Sequence, residues 1–96
     1  MSADRQFTAT EATSIGNEIG IDWRGVDLEQ FRLGLAVELE HGARDPVTNV
    51  TNDDLHMTGK IAWAHLREFP DYYTRLTKLE AEADEYWASD QKVGVR

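Results

Sequence analysis

The stretch Asp27-Leu28-Glu29-Gln30-Phe31-Arg32-Leu33-Gly34-Leu35-Ala36-Val37-Glu38-Leu39-Glu40-His41-Gly42 reads as a helix packed along one side. Its first four residues match a capping box, in which the cap side chain and the residue three positions on satisfy each other's backbone N–H groups. Leu28, Phe31, Leu35, Glu38 and Gly42 then recur in steps of three and four, the signature of one helical face. Four of these positions are apolar or small and one is a glutamate. Gly42 is a natural stop, because glycine takes up the left-handed backbone that closes helices. The spacing predicts a helix from about Leu28 to His41.

Reading outward, residues 43–50 form a loop around Asp45-Pro46. Thr51-Asn52-Asp53-Asp54 restarts a helix with Thr51 as its cap, and the acidic residues suit the positive end of the helix dipole. That helix is expected to run to about Phe69, with Leu55, Thr58, Ala62, His65 and Phe69 as its seam. Pro70 breaks it and opens the next, since proline suits the first helical position. The fourth helix carries Tyr72, Tyr73, Leu76, Leu79, Ala83, Tyr86 and Trp87 on one broad face. On the N-terminal side, Thr8-Ala9-Thr10-Glu11 is another capping box. Ala12, Ile15 and Ile19 follow at helical spacing, and Gly20 closes the helix. Gly16 inside it costs up to about 1 kcal/mol against alanine and is expected to allow close packing. Trp23, in the connection that follows, is expected to fold back onto the core.

These elements predict an all-α protein, a small four-helix domain that homodimerisation could complete. Residues 1–7 read as an N-terminal arm, residues 8–88 as one helical domain, and residues 89–96 as a flexible tail without amphipathic pattern. The 96-residue length suits a single domain. Cysteine is absent, which excludes disulfides, a thiolate nucleophile and cysteine-based metal centres. A net charge of −8 disfavours phosphate backbones, so nucleic acid is not an expected partner. No apolar run approaches the roughly 20 residues of a membrane span. The opening Met1-Ser2-Ala3-Asp4-Arg5-Gln6 lacks an apolar signal core, so the expected location is cytoplasmic.

Two motifs bear on chemistry. The second helix ends in Glu38-Leu39-Glu40-His41, and the third carries His65-Leu66-Arg67-Glu68. Each places a glutamate and a histidine three apart, on one helical face. Such pairs are the ligand modules of carboxylate-rich metal sites in helical bundles, and they suit iron, manganese or zinc. Glu38, His41, His65 and Glu68 are therefore candidate ligands, with Glu40 as a bridging or supporting carboxylate. Tyr72 and Tyr73 could hydrogen-bond to such ligands. A short connection predicts that the second and third helices pack antiparallel, which would separate the two motifs unless the helices cross steeply or a second chain contributes. His56, beside Asp53 and Asp54, is a further candidate ligand or a solvated histidine. In the competing reading the Glu/His pairs only tie helices together. Trp23, Trp63 and Trp87 then offer a surface to a protein partner, as tryptophan is enriched at binding hot spots. Acid–base catalysis by Glu38 or His65 has least support, because no nucleophile or oxyanion feature accompanies them.

Several blocks together resemble a known family. They are Gly20-Ile21-Asp22-Trp23, Phe31-Arg32-Leu33-Gly34, Val37-Glu38-Leu39-Glu40-His41-Gly42, Thr51-Asn52-Asp53-Asp54, Thr58-Gly59-Lys60-Ile61-Ala62 and Ala64-His65-Leu66-Arg67-Glu68-Phe69-Pro70-Asp71-Tyr72-Tyr73. Across about residues 7–80 they are similar to the bacterial and phage family called domain of unknown function 5661. The resemblance implies a small helical domain and no particular activity.

Overall fold

The computed structural model describes residues 5–88. Among the described residues there are four α-helices and no strand: α1 (Ala9–Ile19), α2 (Leu28–Glu38), α3 (Leu55–Glu68) and α4 (Tyr72–Ala88). The expected all-α, four-helix architecture is present. The tail 89–96 lies outside the described residues. No described helix is long and apolar enough to cross a membrane.

The first capping box forms as read. Thr8 accepts from the Glu11 N–H, and the Glu11 carboxylate accepts from the Thr8 N–H. Gly20 closes α1 at φ 94°, a left-handed conformation that costs glycine little. Gly16 makes room for a side chain. A Cβ there would lie 2.3 Å from the Trp23 ring, so the indole lies directly against the α1 backbone. Its Nε1–H donates to Asn17 (2.8 Å) and its edge meets Phe31. Trp23 thus folds back onto the core. Phe7, in the arm, is also fully buried, with Arg32 donating to its carbonyl.

The second capping box forms only in half. Asp27 caps α2 by accepting from the Glu29 N–H, but Gln30 does not reach back to it. Gln30 is buried and turned towards α4, donating to Thr74 and accepting from the Tyr73 N–H. Two hydrogen bonds in the interior outweigh one at an exposed helix end. The α-helix also ends early, at Glu38, and a single 3₁₀ turn over Leu39–His41 completes it. Gly42 is extended (φ −100°, ψ −155°) instead of left-handed. The cause lies beyond it: the Val50 and Thr51 N–H groups both donate to the His41 carbonyl, and the Asp53 carboxylate accepts from the Ala43 N–H. The loop therefore folds back against the end of α2.

The left-handed residues of this region are Asn52 (φ 51°) and Asp53 (φ 65°). They displace the cap of α3 from Thr51 to Asp54, whose carboxylate accepts from the Met57 N–H. Thr51 is instead buried, its hydroxyl accepting from the Asp53 N–H. At the other end of α3, Phe69 is extended and Pro70 and Asp71 form a turn, so α4 begins at Tyr72 and not at the proline.

The order of contacts between α2 and α3 corrects the antiparallel expectation. Gly59 lies against Phe31, Ala62 against Gly34, and His65 faces Glu38. These contacts advance in the same sense along both helices, whereas an antiparallel hairpin would reverse them. The chain is free to do this because the long connection 42–54 is packed in its own right, not pulled taut. No second chain is needed to bring the two Glu/His motifs together. The core gathers Phe7, Ala12, Ile15, Ile21, Phe31, Leu35, Ala36, Ala62, Leu66 and Tyr73, while α4 adds only Tyr73 as a fully buried residue.

Candidate functional site

The site grows from one stripe of α2. Gln30, Gly34 and Glu38 are four apart and share a face. Tyr73 of α4 lies along that face. Its backbone N–H donates to Gln30 (3.0 Å), its ring covers Gly34, and its hydroxyl donates to Glu38 Oε2 (2.7 Å). Glu38 is 4% exposed, so its carboxylate is held in the interior by the phenol. The surroundings push the Tyr73 phenol well above the ordinary tyrosine range. Burial is the main cause, followed by the negative charge of Glu38 and the hydrogen bond to it.

Two imidazoles flank the same carboxylate. His41 Nε2 lies 3.6 Å from Glu38 Oε1, and His65 Nε2 lies 3.6 Å from Glu38 Oε2. Both distances exceed a hydrogen bond. His65 is fixed from two further sides. Its ring stacks on Tyr72 at 4.2 Å, and its Nδ1 faces Glu68 Oε1 at 3.4 Å. Tyr72 is itself pushed up by burial and by the charges of Glu38 and Glu68. Glu68 therefore stands behind the imidazole, on the side away from Glu38, and the expected set of four converging ligands does not form. Among the described residues no three imidazole or carboxylate groups are already spaced to hold a metal ion. His56 is elsewhere, paired with Glu18 of α1 at 2.6 Å and not with Asp53 or Asp54.

The three tryptophans have different surroundings. Trp23 is spent on α1, Trp63 is partly buried against the core, and Trp87 is near the far end of α4 against Tyr86.

A family model described as a protein of unknown function (DUF5661) matches residues 12–82. The chain belongs to the DUF5661 family. No curated protein and no solved structure matches it. The matched span of this DUF5661 chain contains Gln30, Gly34, Glu38, Glu40, His41, His65, Glu68, Tyr72 and Tyr73, so the whole stripe and its neighbours lie inside the family domain.

Sequence reading overlooked Gln30 and Gly34. Their signal was the four-residue spacing to Glu38, masked because Gln30 also fits a capping box. Glu40 points away from this cluster, into a cavity of about 280 Å³ lined also by Arg5, Ala36, Leu39, Arg44 and Asp53. Its buried Oε2 makes no hydrogen bond. Burial, then the charge of Glu80, raises its carboxyl above the usual range, with Arg44 and His41 opposing. A carboxyl raised in this way stabilises the fold fully only below its unfolded value, near 4.5. That contribution is lost as pH rises through the raised value. Glu40→Gln is therefore expected to raise the thermal midpoint of the DUF5661 domain at pH 7. The gain should vanish by pH 3.5, where both side chains are neutral. Thermal unfolding at the two pH values checks it.

Proposed function

We propose that this domain takes up a divalent cation at Glu38, His41 and His65. The observation that carries the reading is the pair of imidazole Nε2 atoms, each 3.6 Å from a different oxygen of one buried carboxylate. Two ligands on one tetrahedral ion with bonds of about 2.1 Å lie about 3.4 Å apart. Each imidazole–carboxylate distance, taken singly, is thus close to that of two ligands on one ion and too long for a hydrogen bond. The three groups would have to close together to share the ion. His41 is more than half exposed, so packing does not enclose its ring. Glu68 against His65 Nδ1 supports the reading in a second way. A carboxylate on the far nitrogen fixes the tautomer that leaves Nε2 open to a metal. Tyr73 orients the Glu38 carboxylate in the same manner. Two imidazoles and one carboxylate suit zinc, iron or manganese, and leave positions for water or a small ligand.

The competing reading is structural, and the 2.7 Å Tyr73–Glu38 bond favours it: the carboxylate then serves only to anchor α4 on α2. The two readings separate in one experiment. Untagged protein is analysed for bound metal, and its thermal midpoint is measured at pH 7.5 with zinc, with manganese and with chelator. On the metal reading one ion raises the midpoint, by about 2.7 kcal/mol of stability when free metal is a hundredfold above its dissociation constant. The gain should shrink as pH is lowered, because protons compete with the metal for its ligands. It should also be lost in His65→Ala. No bound metal and no response to any addition would leave Glu38 with the structural role alone.

A further inference from the structure

We propose that α4 is a homodimer contact, in which two copies lay their fourth helices side by side and antiparallel, with Leu76 of each against Leu79 of the other. Tyr72, Leu76, Leu79, Ala83 and Tyr86 follow one another in steps of four and three. This is the 3.5-residue repeat of helices that pack on a second helix. Phe69, three residues before Tyr72, extends the stripe around the corner. It lines a shallow cavity of about 130 Å³ together with Tyr72, Arg75, Leu76 and Leu79. The body of the domain covers only the inner edge, where Tyr72 and Leu76 pack against the core. Phe69 and Leu79 remain 48% and 58% exposed.

Size and charge along the stripe both fit an identical partner. In the antiparallel register that pairs Leu76 with Leu79, the bulky Tyr72 falls opposite the small Ala83, and Tyr86 lies towards the Phe69 corner that precedes the helix. Arg75 and Glu82 sit at equivalent flanking positions of the repeat, and this register sets Arg75 of each copy opposite Glu82 of the other. Two-fold symmetry makes the pairing occur twice. Two chains of net charge −8 repel at a distance, and these pairs place opposite charges where the approach is closest. Arg75 is already held at the rim of the cavity, paired with Asp71 and lying over the Phe69 ring. A parallel pairing fits less well. It would stack Tyr72 on Tyr72 and Ala83 on Ala83. It would also crowd together the two domain bodies, which both grip α4 at its Tyr73 end. The antiparallel pairing puts them at opposite ends.

Sedimentation equilibrium in chelator, from 1 to 500 µM, tests the proposal independently of any metal. Wild type is expected to dimerise. Leu79→Glu should weaken the dimer about a hundredfold or more by placing two charges in the contact. It should leave the helical circular dichroism unchanged, because Leu79 is exposed in the protomer. Arg75→Glu and Glu82→Arg should each weaken the dimer about tenfold, and the combined swap should return it to within about threefold of wild type. A wild type that stays monomeric at 500 µM overturns the proposal, leaving the stripe to some other partner. So does a Leu79→Glu variant that dimerises normally. A double swap without recovery overturns the antiparallel register.

Discussion

Tyr73→Ala is expected to be the most damaging single substitution in this chain, costing about 3–5 kcal/mol. The ring is 1% exposed and fills the space between α2 and α4 over Gly34. Truncating it opens a cavity there. It also removes the hydroxyl that donates to the buried Glu38 carboxylate, and a buried charge left without its donor is costly in its own right. In a domain of this size each kcal/mol lowers the thermal midpoint by about 4–8 °C. The fall should therefore exceed about 12 °C, and it can be followed in urea or heat by tryptophan fluorescence. Tyr73→Phe separates the two causes. It keeps the ring and removes the hydroxyl, and should cost about 1.5–3 kcal/mol. Equal losses for the two variants would show that packing over Gly34 contributes little.

Gly34→Ala is the second large effect, and its sign is the test. On helix propensity alone the change should stabilise α2 by about 1 kcal/mol. The added Cβ, however, would lie 2.5 Å and 2.9 Å from ring atoms of Tyr73 and 3.0 Å from the Ala62 Cβ. These neighbours have little freedom. Tyr73 is tied at its backbone to Gln30 and at its hydroxyl to Glu38, eight residues apart on the same helix. Overpacking of this kind typically costs about 1–3 kcal/mol. A net loss of stability is expected, with a weaker grip of α4 on α2. A raised midpoint in urea unfolding would mean that Tyr73 can move aside, and would undercut the account of the stripe given above.

The helices were legible because their signals are local. Thr8 and Glu11 are three residues apart, and both halves of their capping box appear. Gly20 closes α1 for the same reason: the backbone conformation it needs is its own. The failures are also informative. Asp27 and Gln30 present the same pattern as Thr8 and Glu11, yet Gln30 turns inward. Its partners, Tyr73 and Thr74, are 43 and 44 residues away. The cap of α3 moved from Thr51 to Asp54 because Thr51 is drawn against His41 by the returning loop.

The candidate site divides along the same line. Glu38, His41, His65 and Glu68 could be singled out from spacing alone, because three residues on a helix fix a shared face. Which of those faces meet could not be read, nor which atom of each side chain points where. Sequence reading makes the connection short, and a hairpin with a short link would have kept His65 far from Glu38, whereas the connection 42–54 lets α3 run in the same sense as α2. Packing decided it. Gly34 and Gly59 are the small positions at which Tyr73, Ala62 and Phe31 approach their helices closely. The sequence by itself determined four helices, most of their ends and a glutamate in an apolar seam, since each depends on residues within one or two turns. The tertiary structure alone decided that His65 and His41 flank that glutamate while Glu68 stands behind, because those relations depend on how α2, α3 and α4 pack.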